Sequence, residues 1–128
     1  VNDLVAEGAH TGTITHSASG GGYTGVSVPN VTANITDNDT AGVTITQSGG
    51  STDVTEGGAT DTYTVVLNSQ PTASVTITVT GDAQASAAPA SLTFTTANWN
   101  TAQTITVTAV NDLVAEGAHT GTITHSAS

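Results

Sequence analysis

Carboxylates are the only side chains here that carry a full charge at neutral pH. The 128-residue sequence has ten Asp plus Glu, no Lys and no Arg, for a formal net charge of −10. The acids are Asp3, Glu7, Asp37, Asp39, Asp53, Glu56, Asp61, Asp82, Asp112 and Glu116. With no ammonium or guanidinium group to answer them, compensation must come from backbone N–H groups, water or metal cations. Carboxylates crowded without such compensation repel one another and take up protons or cations. Most are flanked by Gly, Asn or Thr, and the chain has neither Cys nor Met. An oxygen-rich, sulfur-free set of this kind suits a hard cation of calcium size, which takes roughly six to eight oxygens from carboxylates, loop carbonyls and water.

Other chemistries are poorly served. Without Cys there is no thiolate nucleophile, soft-metal ligand or disulfide, and without Lys no Lys–Asn isopeptide crosslink. The missing basic residues also exclude a surface for phosphates, nucleic acid or anionic membranes. No Gly-x-Ser-x-Gly elbow or Ser/His/Asp grouping suggests catalysis, so no enzymatic activity is expected. His10 and His16, and again His119 and His125, are six residues apart. On one strand that is about 20 Å, too far to share an ion. His119 is close enough to acidic residues to contribute to a cation site, although an ordinary surface role is the simpler expectation. Asp37-Asn38-Asp39-Thr40-Ala41-Gly42 imitates the start of an EF-hand loop, but Ser48 stands where its last glutamate belongs and no helices flank it.

These residues are positioned by a repeat. Val1 through Ser19 returns letter for letter as Val110 through Ser128, so the period is 109 residues. That is about the size of one β-sandwich domain, and the chain reads as a window cut from a longer tandem array. Residues 1–39 would be the last strands, F and G, of one repeat; residues 40–128 would be strands A to F of the next, with its strand G beyond the window. Thr, Val and Ile alternate with period two, the pattern of half-buried antiparallel strands. Strand A buries Val43 and Ile45, B Tyr63, Val65 and Leu67, and C Val75, Ile77 and Val79. A loose Ala/Ser stretch runs to Pro89 before strand D, with Leu92 and Phe94 inward. Asn98-Trp99-Asn100 makes a corner, with Trp99 a lid on one end of the core. Strand E buries Ile105, Val107 and Ala109, and strand F Ile123. Strand G, Val26 to Thr36, sets Val31, Ala33 and Ile35 on one face. About seven short strands of this kind read as an immunoglobulin-like antiparallel β-sandwich.

In such a fold A, C, E and G run one way and B, D and F return. The A–B, C–D and E–F loops and the end of G then share one pole. All ten acids fall there; the opposite loops carry none. Carboxylates spread for solubility alone would not segregate so. Calcium at this pole is therefore expected.

Glu56 in Val54-Thr55-Glu56-Gly57, then Asn111-Asp112-Leu113-Val114-Ala115-Glu116, then Asp37-Asn38-Asp39, resembles the Calx-beta pattern, that of a calcium-binding sandwich of sodium–calcium exchangers and of tandem arrays in large bacterial surface proteins. Phe94 through Val107 is similar to the bacterial members in particular. The resemblance covers the whole period. It implies calcium ligation by Glu56, Asp82, Asp112, Glu116, Asp37 and Asp39, with Asp3 and Glu7 as the first-copy equivalents of Asp112 and Glu116. Asn111 and Asn38 stand at positions often acidic in the family. Each can coordinate through its amide oxygen, and the reduced charge favours one or two ions per junction.

The expected function is mechanical: sandwiches joined end to end in an extracellular stalk, fibre or adhesin on a bacterial surface, stiffened by calcium at each junction. Its partners would be adjacent identical repeats or subunits, with strand donation from a neighbour as one route of assembly. The rival is a ligand-binding adhesive module for glycan, cell surface or ice. The repeated Thr-x-Thr faces invite that reading, but β-propensity and solubility explain them equally, and a twisted sheet makes a poor flat lattice.

Overall fold

The computed structural model describes residues 1–128 as an all-β chain without α-helices. Strands β3 (Val43–Gln47), β4 (Asp61–Leu67), β8 (Gln103–Ala109) and β6 (Ala85–Ala88) form an antiparallel sheet in that order. Strands β7 (Ser91–Phe94), β5 (Val75–Thr80) and β9 (Thr124–Ala127) form a second, and β1 (His10–Ile14) and β2 (Val31–Ile35) a separate two-stranded ribbon. The first two sheets pack as a β-sandwich. β5 shows why: Ile77 and Val79 are buried while Thr78 and Thr80 face solvent, so one register satisfies both faces. Tyr63, Val65 and Leu67 from β4, Ile105 and Val107 from β8, and Leu92 and Phe94 from β7 complete most of the core. Phe94, Ile77, Ile105 and Val65 are its largest fully buried side chains. Each is worth about 1.5–3 kcal/mol in burial, so a few residues hold the sandwich together. Trp99 packs half-buried against that core, and its carbonyl accepts the Leu67 N–H at 3.2 Å.

Three features depart from the expectations. The Ala/Ser stretch is not loose: Ala85 to Ala88 pair with Thr106 to Ala109 as an edge strand. Ala and Ser have low β-propensity, but Asp82 fixes the turn that delivers them to β8. The chain then crosses to the other sheet through Pro89, so one expected strand becomes two. In β3, Val43 and Ile45 alternate correctly in sequence, yet they are 41% and 44% exposed, because nothing covers them from the facing sheet. Finally, the duplicated segment forms different strands in its two copies. Residues 10–14 pair with β2 in the first copy, whereas in the second the ladder uses residues 124–127 and β5.

The β1–β2 ribbon meets the sandwich at the end opposite Asp61. Val5 bridges Gln70, whose N–H donates to the Leu4 carbonyl at 2.6 Å. No helix is long and apolar enough to cross a membrane.

Candidate metal centre at the loop pole

Two loops bring the central residues together. Between β3 and β4 the chain reverses over Thr55 to Ala59, with Thr55 N–H on the Ala59 carbonyl at 2.9 Å and Gly58 N–H on the Thr55 carbonyl at 3.0 Å. Gly57 takes φ +63° there, a conformation that L side chains resist, and the turn carries Glu56 at its tip. After β8, Val110 N–H donates to the Gln84 carbonyl at 2.9 Å, and Asp112 Oδ1 accepts the Val114 N–H at 2.7 Å. This Asx turn starts the loop that returns Glu116 and His119 toward Glu56.

Ligand atoms of Glu56, Glu116 and His119 all lie within 4.8 Å of one another. His119 Nε2 is 3.4 Å from Glu116 Oε2 and 3.6 Å from Glu56 Oε1. Its Nδ1 is 2.8 Å from the Gly117 carbonyl, which can only accept, so Nδ1 carries a proton. In the neutral ring the Nε2 lone pair would then point at two carboxylates. A proton or a cation between three such donors would offset their mutual repulsion. The Gly117 carbonyl, followed by Glu116, Glu56 and Asp112, holds the imidazole pKa above its ordinary value. A proton on Nε2 would serve as the cluster's own counter-charge. A metal ion is the alternative.

Gln84 adds to the arrangement. Its Nε2 is 3.4 Å from Glu116 Oε1, while its Oε1 is buried without a hydrogen-bond partner. A buried carbonyl oxygen left unpaired costs about 1–3 kcal/mol. The residues present therefore fit a divalent cation. Two carboxylates and an amide oxygen suit calcium; the imidazole is a ligand better matched to zinc-like ions.

The remaining expected ligands are occupied otherwise. Asp82 Oδ2 accepts the Thr122 N–H at 2.7 Å and Oδ1 accepts the Gln84 and Ala85 N–H groups, each at 2.9 Å. These bonds, led by Thr122, lower its pKa. Gly121 makes the approach feasible, since a Cβ there would lie 2.8 Å from Ala85 Cβ and 3.1 Å from Asp82 Oδ1. Asp61, which sequence reasoning did not place in the ligand set, accepts the Asp53 and Thr62 N–H groups and is likewise lowered. Asn111 lies beside Gly57, where its amide nitrogen would be 3.5 Å from a Cβ.

The first-copy residues form a second cluster. Asp37 Oδ2 accepts the Glu7 and Gly8 N–H groups at 2.7 and 2.8 Å, and Oδ1 accepts the Asp39 N–H at 3.0 Å. Its pKa is lowered, chiefly by the Asp39 bond. Here a carboxylate ties the end of β2 to the loop before β1. Glu7 Oε2 is 3.5 Å from His10 Nε2, whose ring again meets a glycine carbonyl through Nδ1. Asp3 closes an Asx turn on Val5, and Asn38 and Asp39 make no side-chain hydrogen bond. The length of β4, about 20 Å for a strand of this size, separates this cluster from Glu56 and Glu116, since the ribbon joins the sandwich at the Leu67 end.

His119, for which an ordinary surface role was the simpler expectation, lies within the cluster. Its signal was present in the three-residue spacing from Glu116, but only the path of the loop shows that Glu56 meets it. No family model matches the chain, and comparison with curated proteins and with solved structures finds no match.

Proposed function

We propose that the chain is a structural unit of a tandem array, an extracellular stalk, fibre or adhesin of Calx-beta type, in which divalent cations stiffen the loop pole of each sandwich. The carrying observation is the convergence of Glu56 and Glu116 from separate loops onto His119, with no Lys or Arg anywhere in the chain to neutralise them. Calcium would be held by Glu56, Glu116 and Gln84, with Asp112 and Asn111 from the same loop. A cation there locks the turn after β3 to the loop after β8, two segments otherwise joined through an exposed histidine. Asp37 and Asp82 contribute by fixing backbone.

Calorimetric titration of the metal-free protein with calcium, at neutral pH and moderate salt, tests the reading. The expected result is saturable binding with a rise in unfolding temperature, both abolished by Glu56→Gln together with Glu116→Gln. Identical heats for the wild type and the double variant would overturn it.

A further inference from the structure

The turn after β4 holds two other parts of the chain at once. Asn68 N–H donates to the Gly42 carbonyl at 2.9 Å, and Gln70 N–H to the Leu4 carbonyl at 2.6 Å. Gly42 belongs to the linker that joins β2 to β3, and Leu4 to the loop that precedes β1. Between the two donors Ser69 is buried, the one polar residue so placed, which makes the turn a fixed part of the sandwich. The Asn68 side chain reinforces the linker contact. Its Oδ1 accepts from Thr44 Oγ1 at 2.7 Å, and a Cβ on residue 42 would lie 2.8 Å from its amide nitrogen. Val5 bridges Gln70 and lines one crevice with Ala41, Val43, Leu67 and Pro71.

These contacts close a circuit. From Asp37 the linker runs to Gly42, Gly42 bonds to Asn68, and Gln70 bonds to Leu4. The loop after Leu4 then returns to Asp37 through the Glu7 and Gly8 N–H groups, at 2.7 and 2.8 Å. The same carboxylate takes the Asp39 N–H at 3.0 Å and so stiffens the start of the linker. We propose that this circuit is a metal-free clamp: turn 68–71 is the seat for loop 4–8 and holds the β1–β2 ribbon at one angle to the sandwich.

A free linker over residues 36–42 would let the ribbon swing, its ends sampling separations of about 15 Å. The linker also keeps both partners within reach, so each added bond forms intramolecularly at high effective concentration. Once closed, the circuit has no free hinge. The ribbon cannot turn about residues 38–42 without breaking the Gln70–Leu4 bond or the bonds to Asp37. Those to Asp37 have a charged acceptor and are the stronger kind. The Glu56, Glu116 and His119 cluster takes no part, since it lies at the other end of β4. The joint and the cation site thus act at different poles. The place of the joint in a tandem array rests on the reading proposed above, whereas the clamp itself needs no cation.

Because the chain has no Cys, spin labels can be placed through Thr13→Cys with Thr108→Cys, and separately through Thr32→Cys with Thr78→Cys, all exposed positions. Double electron–electron resonance then reads the ribbon-to-sandwich distance in chelator and in calcium. The expected result is one narrow distribution for each pair, the same in both buffers. Asp37→Ala and Gln70→Pro should each broaden it by on the order of 10 Å, the reach of a short free linker. Gln70→Ala, which keeps the N–H, should leave it narrow. Near-ultraviolet dichroism of Tyr63 and Trp99, in and against the core, checks that the sandwich is folded in each variant. A wild-type distribution that is broad in chelator and narrows only with calcium would overturn the clamp and give the stiffness to the cation. Narrow distributions in both Asp37→Ala and Gln70→Pro would overturn it as well. A narrow wild-type distribution in chelator, broadened by those variants, together with a failed calcium titration, would leave the clamp standing and remove the cation reading.

Discussion

The imidazole of His119 decides how the loop pole behaves when no metal is bound. With Nδ1 committed to the Gly117 carbonyl, Nε2 answers Glu56 and Glu116 only when protonated. Proton and cation therefore compete for one place. Calcium affinity should fall as pH drops through the raised pKa of His119, and His119→Gln should flatten that dependence while preserving binding at higher pH. Calorimetry across pH 5 to 8 measures both. If the variant keeps the wild-type pH profile, the histidine is not the competing group. Asp82 behaves differently, since three backbone N–H groups consume its oxygens. Asp82→Ala should lower the unfolding temperature by several degrees with or without calcium, which a thermal melt in chelator separates from any loss of ligation.

At the scale of elements, strength is concentrated where the two sheets interdigitate. Phe94, fully buried on β7 opposite Val75 of β5, should cost about 3–5 kcal/mol when cut to Ala. That is a large fraction of what a domain of this size possesses, so chemical denaturation is expected to show a strongly shifted midpoint or a chain that does not fold. Gly121→Ala should cost about 1–3 kcal/mol by overpacking Ala85 and disturbing the reach of Asp82 to Thr122. The inward faces of β4, β5, β7 and β8 were legible in the sequence because Val, Ile, Leu and aromatics alternate there with Thr. β6 was not, since Ala and Ser become a strand only when Asp82 turns them onto β8. Val43 and Ile45 alternate as well as any pair, but alternation cannot say whether the opposite sheet supplies a covering strand. That Glu56 and Glu116 would come together from separate loops was readable from the topology; that Asp37, Asp61 and Asp82 would bond to backbone N–H groups was not. Nor could spacing show His125 reaching Tyr63, whose hydroxyl lies on another strand.

For the whole molecule, ten acids without a single Lys or Arg make stability a matter of what neutralises them. Asp37, Asp61 and Asp82 have lowered pKa values, so their contribution is full above about pH 4 and is lost as pH falls through the lowered values. His119 has a raised value, so its contribution is full below about pH 6.5 and is lost as pH rises through the folded-state value. In chelator the unfolding temperature should therefore peak between about pH 4 and pH 6.5 and decline on either side. With calcium present the alkaline decline should vanish, because the ion replaces the proton between Glu56 and Glu116, while the acid decline should persist, because it belongs to carboxylates bonded to backbone. Sodium chloride should raise the alkaline limb only partly, by screening the net charge. Calorimetric melts over pH 3 to 9, in chelator, in calcium and in salt, measure all three limbs. A calcium-independent alkaline limb would mean that the cation does not occupy the place the proton leaves.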